Sequence, residues 1–403
     1  MRLWIKIALF SILLVVVGVG VYFALSNRGP AIVELPPGGR GPGGFPIPYA
    51  SGTPGAGGSG GGSTTSTVPE RPETPAPAEV SVTPISDHPV FDFWMNPATS
   101  EVFYLAADGR VFRERDGLDE ALSSEELYNL ISVEVSTDRQ RVLVSLGATH
   151  APEWRIFDIL DRAWRPLPPG IVAATWGSRP DRIIAQVSRP AESRKLVEVD
   201  LSRPSFPETA LVANFELLNV SLHAVRQNTL LITEQPSEKT NGRVWNFDLT
   251  RKTLSLLFTP SPGLMVSIPR NGSVGFLSMS PREFQIFSFG AGIQPLAAVP
   301  FRTFPQKCAL AASTTLCFAP VRFTGLLSSL SLPDDWLSGA AIATDQLFRT
   351  NLTDGETDLM FSSGETDLPA LDAVRVEAAA NDLYVLNRRD RTLYRVTMPA
   401  QTP

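Results

Sequence analysis

From about residue 78 to the C-terminus, apolar and polar residues alternate in short runs bounded by Gly, Pro, Asn, Asp and Ser. Period-two alternation over such lengths predicts β-strands with one buried face. Helix-periodic stretches are nearly absent after residue 30. Within this background one strand pattern, an apolar run ending on a turn-forming or small polar residue, returns seven times. Its copies are Arg110–Asp116, Trp154–Asp158, Leu196–Asp200, Val244–Asp248, Phe284–Ser288, Leu347–Asn351 and Leu393–Thr397. Recurrence of one small β unit predicts a closed ring of sheets, and seven copies predict an all-β, seven-bladed β-propeller over residues 78–403.

Each repeat reads as a buried inner strand, a middle strand, the motif strand and a less regular outer strand. Ile131–Val135, Arg141–Leu146, Trp154–Ile159 and Trp164–Leu167 make the clearest set, with a loop around His150. After Met398 too little chain remains for a last outer strand. Ala78–Thr83 alternates like a strand and has no blade of its own. The expectation is that residues 78–84 close the ring by pairing with the last motif strand near Thr392–Thr397, which removes an exposed edge.

The sixth repeat departs from the spacing through an insertion, Pro320 to Ala341, that contains Leu332-Pro-Asp-Asp-Trp-Leu-Ser-Gly339. Insertions between blade strands become loops on one face, often the recognition face. Asp334, Asp335 and Trp336 are therefore candidate partner contacts. The competing reading is a packing loop whose Trp covers a blade edge.

The N-terminal region has a different character. Ile7 to Leu25 is uncharged and almost wholly apolar. Nineteen residues at about 1.5 Å each approach the roughly 30 Å hydrocarbon core, which predicts one transmembrane helix within an anchor of residues 1–28. Arg2 and Lys6 precede it, so the positive-inside rule keeps the N-terminus cytoplasmic and carries the rest across. A cleaved signal peptide is the rival, since Ala24-Leu25-Ser26 offers small residues, but the run exceeds the roughly 7–15 residues of a signal core. Residues 29–77 are nearly half Gly or Pro and predict a disordered linker: a flexible Gly/Ser part, then the stiffer Pro69–Pro77.

Composition narrows the function classes. The net charge is −6, and no Lys/Arg stripe interleaved with aromatics exists to track a phosphate backbone, which argues against a nucleic-acid partner. The two cysteines, Cys308 and Cys317, flank a hairpin turning near Ala312-Ser313 and would face each other on neighbouring strands. Cross-strand Cβ separations of about 4.5–5.5 Å fall toward disulfide reach. Outside the cytoplasm a disulfide is expected, with two buried free thiols as the alternative.

The Ser-x-Asp turn, apolar middle strand and apolar strand ending in Asp resemble TolB-type and related WD-repeat-like propellers. The matching residues are Ser136-Thr-Asp-Arg139, the Val-Leu-Val of strand Arg141–Leu146 and Trp154–Asp158, followed by Ser178–Arg182 and Leu196–Asp200. The Ser-Pro-Asp-Gly turn common in that group is degraded in every blade, and the Gly-His and Trp-Asp pairs of true WD repeats are absent. The resemblance implies a protein-binding or scaffolding ring by analogy of fold.

Motifs for chemistry are sparse. His88, His150 and His223 have no metal-ligand spacing, and no serine-hydrolase elbow, phosphate-binding loop or dinucleotide fingerprint occurs in the ring. No catalytic set, metal site or cofactor is signalled. Asp92, Glu134, Glu216 and Asp372 lie on or beside predicted inner strands and could converge on a central channel, as a carbohydrate-active ring would require. Trp94, Trp154 and Trp245 occupy comparable strand positions; they read as inter-blade core, or alternatively as a sugar-stacking platform. The reading that unites anchor, linker and ring is a single-pass envelope protein whose extracytoplasmic propeller binds another envelope protein. A glycan-binding or carbohydrate-active ring is the alternative.

Overall fold

The computed structural model describes residues 80–398 apart from short breaks at 97–98, 116, 191, 227, 269–273, 280–282, 290–292, 312, 324–329, 365–367 and 380–381. The expected anchor (1–28) and linker (29–77) lie outside the described residues. Among the described residues no helix is long and apolar enough to cross a membrane.

Seven four-stranded antiparallel sheets follow one another along the chain. Blade 1 comprises Val90–Met95, Val102–Ala106, Val111–Arg115 and Leu118–Ala121; blade 2 comprises Leu130–Val135, Arg141–Ala148, Ala151–Asp158 and Ala163–Pro166. In every blade the recurrent motif is the third strand. The loop expected at His150 is only a tight turn, because the strands on either side extend to Ala148 and from Ala151.

Period two explains how the ring holds together. In the second strand of blade 2, Val142 and Val144 pack with Trp94, Phe103 and Leu105 of blade 1. Leu143, between them, packs with Ile183, Val197 and Val199 of blade 3. One alternating strand thus serves two interfaces, because successive side chains leave opposite faces of the sheet. Comparable apolar clusters join blades 3 and 4, 4 and 5, 5 and 6, and 6 and 7. A final cluster places Tyr384, Leu386 and Leu393 of blade 7 against Phe93, Tyr104 and Phe112 of blade 1, which closes the circle.

The closing strand forms as expected. Ser81–Pro84 pairs with the third strand of blade 7, Leu393–Thr397, in the register Ser81↔Thr397 to Pro84↔Tyr394. It is the outer strand of its sheet, where a proline is tolerated because its missing N–H faces away from the ladder.

The residues that end the motif strands shape turns. Asp158 accepts backbone N–H bonds from Leu160 (3.0 Å) and Asp161 (3.3 Å), and Asp248 from Thr250 (2.9 Å) and Arg251 (2.8 Å). Asn351 does the same for Thr353 at 2.9 Å. Such Asx turns replace backbone pairing where the chain reverses. Arg141 and Arg182, which open the second strands of blades 2 and 3, reach the motif carboxylates of Asp158 and Asp200, both at 2.8 Å.

Cys308 and Cys317 are opposite residues on the first two strands of blade 6 and form a disulfide. The bond lies in the apolar interface with Phe276, Phe284 and Ile286 of blade 5. Replacing both cysteines with alanine is expected to cost about 2–3 kcal/mol, the loop-closure contribution for a loop of roughly ten residues. Differential scanning calorimetry of the wild type with and without reductant checks this: reduction should lower the midpoint, and reductant should leave the double variant unchanged.

Candidate functional site

Loops on one face of the ring join second to third strands and each outer strand to the next blade. The blade 6 insertion belongs to this face, and we call it the strap. Its described part carries one helical turn, α1 (Asp334–Leu337). Trp336 is only 2% exposed and stacks on Phe304 at a ring separation of 4.1 Å. Met265 of blade 5 and Ala341 complete this small core, with Phe323, Leu330 and Leu332 packed against it. On the blade 7 side, the Arg388 guanidinium lies 4.5 Å from the Trp336 ring centre and donates to the Trp336 carbonyl.

The three strap residues singled out in the sequence are thus engaged within the molecule. Asp334 Oδ2 accepts from Glu238 N (2.9 Å) and Ser237 Oγ (3.3 Å), in the corresponding loop of blade 4. Asp335 Oδ2 accepts from Ser331 N at 2.7 Å and so shapes the strap itself. Trp336 points inward, and the large apolar side chain that α1 leaves exposed is its neighbour Leu337. The strap therefore ties blade 6 to blades 4, 5 and 7 across one face.

Beside Trp336 lies a cluster of charges with no solvent contact. Lys307 Nζ donates to both oxygens of Asp345 (2.8 and 2.7 Å) and to Asp372 Oδ1 (2.7 Å), and all three side chains are 0% exposed. Asp345 Oδ2 also accepts from Ala373 N and Asp372 Oδ2 from Ala343 N, each at 2.8 Å. Arg388 Nε stands 3.8 Å from Asp372. Burial pushes the Asp345 carboxyl above its usual range; Lys307 pulls it back, and the neighbouring Asp372 adds to the rise. Sequence reading flagged Asp372 as an inner-strand carboxylate and missed its partners. The available signal was Asp372 itself, a charge set between Leu371 and Ala373 at the entrance to a strand.

Inner strands bring a second charged group together. Arg375 of blade 7 donates to both oxygens of Asp92 of blade 1 (2.8 Å each) and to Glu377 Oε1 (2.7 Å). Arg139, at the turn after the inner strand of blade 2, lies 3.6 Å from Glu377. Glu134 of blade 2 approaches His223 of blade 4 at 3.7 Å. That pair spans blade 3, whose inner strand Ile171–Trp176 holds two alanines at its centre. Burial raises the Asp92 carboxyl above its ordinary value, with Arg375 opposing the rise.

The four carboxylates that could have converged on a channel are not brought together. Asp92 and Glu134 face different partners, Glu216 is exposed in the loop before blade 4, and Asp372 is sealed beside the strap. Among the described residues no group of His, Cys, Asp and Glu has the arrangement of a metal site. Trp94, Trp154 and Trp245 are all buried between blades. Trp94 differs from the expectation of comparable positions: it sits on an inner strand, whereas Trp154 and Trp245 are on third strands.

One further concavity lies on the strap face, between blades 2 and 3. It is a cleft of about 490 Å³ lined by His150, Glu153, Trp154, Pro166, Pro168 and Pro169, among others. Two large side chains stand exposed in loops of this same face, Tyr128 before blade 2 and Leu218 before blade 4.

No protein-family model and no curated protein matches this sequence. Solved structures match its fold. The β-propeller domain of Myceliophteria thermophila Cps50 (Swd1) aligns with a TM-score of 0.52 at 12% identity, covering 78% of this chain and 99% of that one. The WD40 repeats of RRP9 align at 0.51 and 9% identity, over 80% of this chain and 99% of theirs. A chain of the mitotic checkpoint complex aligns at 0.50 and 12% identity, over 84% and 98%. At these identities the likeness is one of fold: a WD40-like seven-bladed propeller.

Proposed function

We propose that this chain is a protein-binding scaffold of the cell envelope, anchored through residues 7–25 with its N-terminus cytoplasmic and its propeller outside. The observation that carries the binding role is the strap face. There Tyr128, Leu218 and Leu337 are exposed at 65%, 53% and 42%, in loops of the same face that carries the proline-lined cleft. Large apolar side chains exposed on one loop face are what a protein partner buries. By contrast, Arg375 pairs with Asp92 and Glu377, and Arg139 also reaches Glu377, so among the described residues these inner-strand acids are engaged with guanidinium groups rather than set out as a glycosidase acid pair. Support for the envelope comes from Arg2 and Lys6 ahead of the uncharged run and from the disulfide, a bond that persists in oxidising compartments.

The test is crosslinking of the full chain in detergent to an envelope extract, with the retained proteins identified by mass spectrometry. One protein should be recovered in near-equimolar amount. A Leu218→Glu/Leu337→Glu double variant should lose that recovery at least tenfold while its thermal midpoint hardly moves, since surface changes of this kind stay within about 0.5 kcal/mol each. Undiminished recovery with the variant, or recovery of glycan without protein, overturns the reading.

A further inference from the structure

The Lys307 cluster has the composition and geometry of a bond-forming site. One amine and two carboxylates meet with no solvent contact, against the stacked rings of Trp336 and Phe304. Nζ donates to both oxygens of Asp345 at 2.8 and 2.7 Å, so the carboxyl carbon lies directly behind the contact and needs only a turn of its face to meet the nitrogen. The two acids are also unlike each other. Each takes one backbone N–H, Asp372 from Ala343 and Asp345 from Ala373, but Asp372 also has a second cation, Arg388, beside it. Among the described residues Asp345 is directly ion-paired only with Lys307, Arg388 acting on it from farther off, and burial favours its neutral acid form, the form that can accept an amine at carbon.

We propose that Lys307 and Asp345 join in an intramolecular isopeptide bond, with Asp372 as the group that moves the proton. Lys307 passes one ammonium proton to Asp372. The freed lone pair then attacks Cγ of the neutral Asp345 carboxyl, whose face turns to the nitrogen by rotation about Cβ–Cγ. The N–Cγ bond forms and the carbonyl π bond opens. As the tetrahedral carbon collapses, its C–O bond to the hydroxyl breaks. That hydroxyl takes the proton held by Asp372 and leaves as water, while the nitrogen gives its second proton to Asp372. The products are a neutral amide, one water and a protonated Asp372, so atoms and charge balance and no oxidant or cofactor is required. Two acids in one site take different roles because their surroundings differ.

The bond would join residues separated by 38 positions and so enclose both the disulfide hairpin and the strap. Unlike the disulfide, it would survive reduction. It would lock the strap to the start of blade 6 by a covalent link that neither heat nor thiols reverse.

Peptide mapping of the full, reduced and alkylated chain is the test. Trypsin should fail to cut after Lys307. It should yield the segment 303–322 joined to 323–349, lighter than the two separate peptides by one water. A free peptide Thr303–Lys307 with no joined species overturns the proposal and leaves the cluster a plain buried ion network. An Asp372→Asn chain should show the free peptide; a joined species in that variant overturns the role given to Asp372. The reading needs no mutant to fold, since the wild-type map decides it.

Discussion

Deleting residues 78–84 is expected to lower the thermal midpoint of the ring by about 10 °C or more. The strand Ser81–Pro84 is paired along its whole length with Leu393–Thr397. Val80 and Val82 pack into the cluster that holds blades 6 and 7 together. Beyond the strand, Ile85 N donates to Leu393 O at 2.9 Å and Leu393 N to Ser86 Oγ at 3.0 Å, so the following segment is also positioned by this pairing. Each ladder hydrogen bond contributes about 1 kcal/mol net, and each valine buried adds roughly 1.5–3 when burial is complete. A loss of roughly 4–6 kcal/mol follows, and one kcal/mol moves the midpoint of a large domain by about 2–4 °C. The deletion also bares the edge of Leu393–Thr397, so light scattering should rise with concentration. Calorimetry of the two chains decides the matter; an unchanged midpoint would mean the seventh blade is stable without its outer strand.

Trp336→Ala is the single substitution expected to cost most in the strap, about 3–5 kcal/mol, the usual range for emptying a buried aromatic site. Its ring is stacked on Phe304 and covered by Arg388. Loss of the ring leaves Met265, Phe304 and Ala341 around a void and opens the Lys307 cluster to water. The expected signs are a lower midpoint and faster proteolytic cleavage between residues 320 and 341, with Trp336→Phe recovering most of both. If Trp336→Ala is cut no faster than the wild type, the strap is held by Asp334 and Asp335 instead, and the ring contributes little.

How much of this was readable beforehand depends on the range of the interactions involved. The motif strands were legible because they are local: Trp154–Asp158 and Val244–Asp248 repeat an alternation and end on a residue that makes its own turn. Cys308 and Cys317 were legible for the same reason, since one hairpin sets their pairing. The closing strand was a long-range inference, but bookkeeping licensed it, with one strand too few at one end and one too many at the other. The strap was recognisable as an insertion, yet nothing local told Trp336, which turns inward, from Leu337, which stays exposed.

The charged groups mark the limit. Asp92 and Arg375 are 283 positions apart and meet only because blade 7 lies against blade 1. Lys307, Asp345 and Asp372 come from three segments that no periodicity connects. By itself the sequence determined the strands, their turns, the number of blades and the hairpin disulfide, because each follows from the period of a pleated chain and the stereochemistry of reversing it. Only the tertiary structure decided which polar groups are sealed in, which cation answers each acid and which strap residue faces outward. Those outcomes depend on closing the ring, which sets distant side chains within hydrogen-bond reach and removes the water between them.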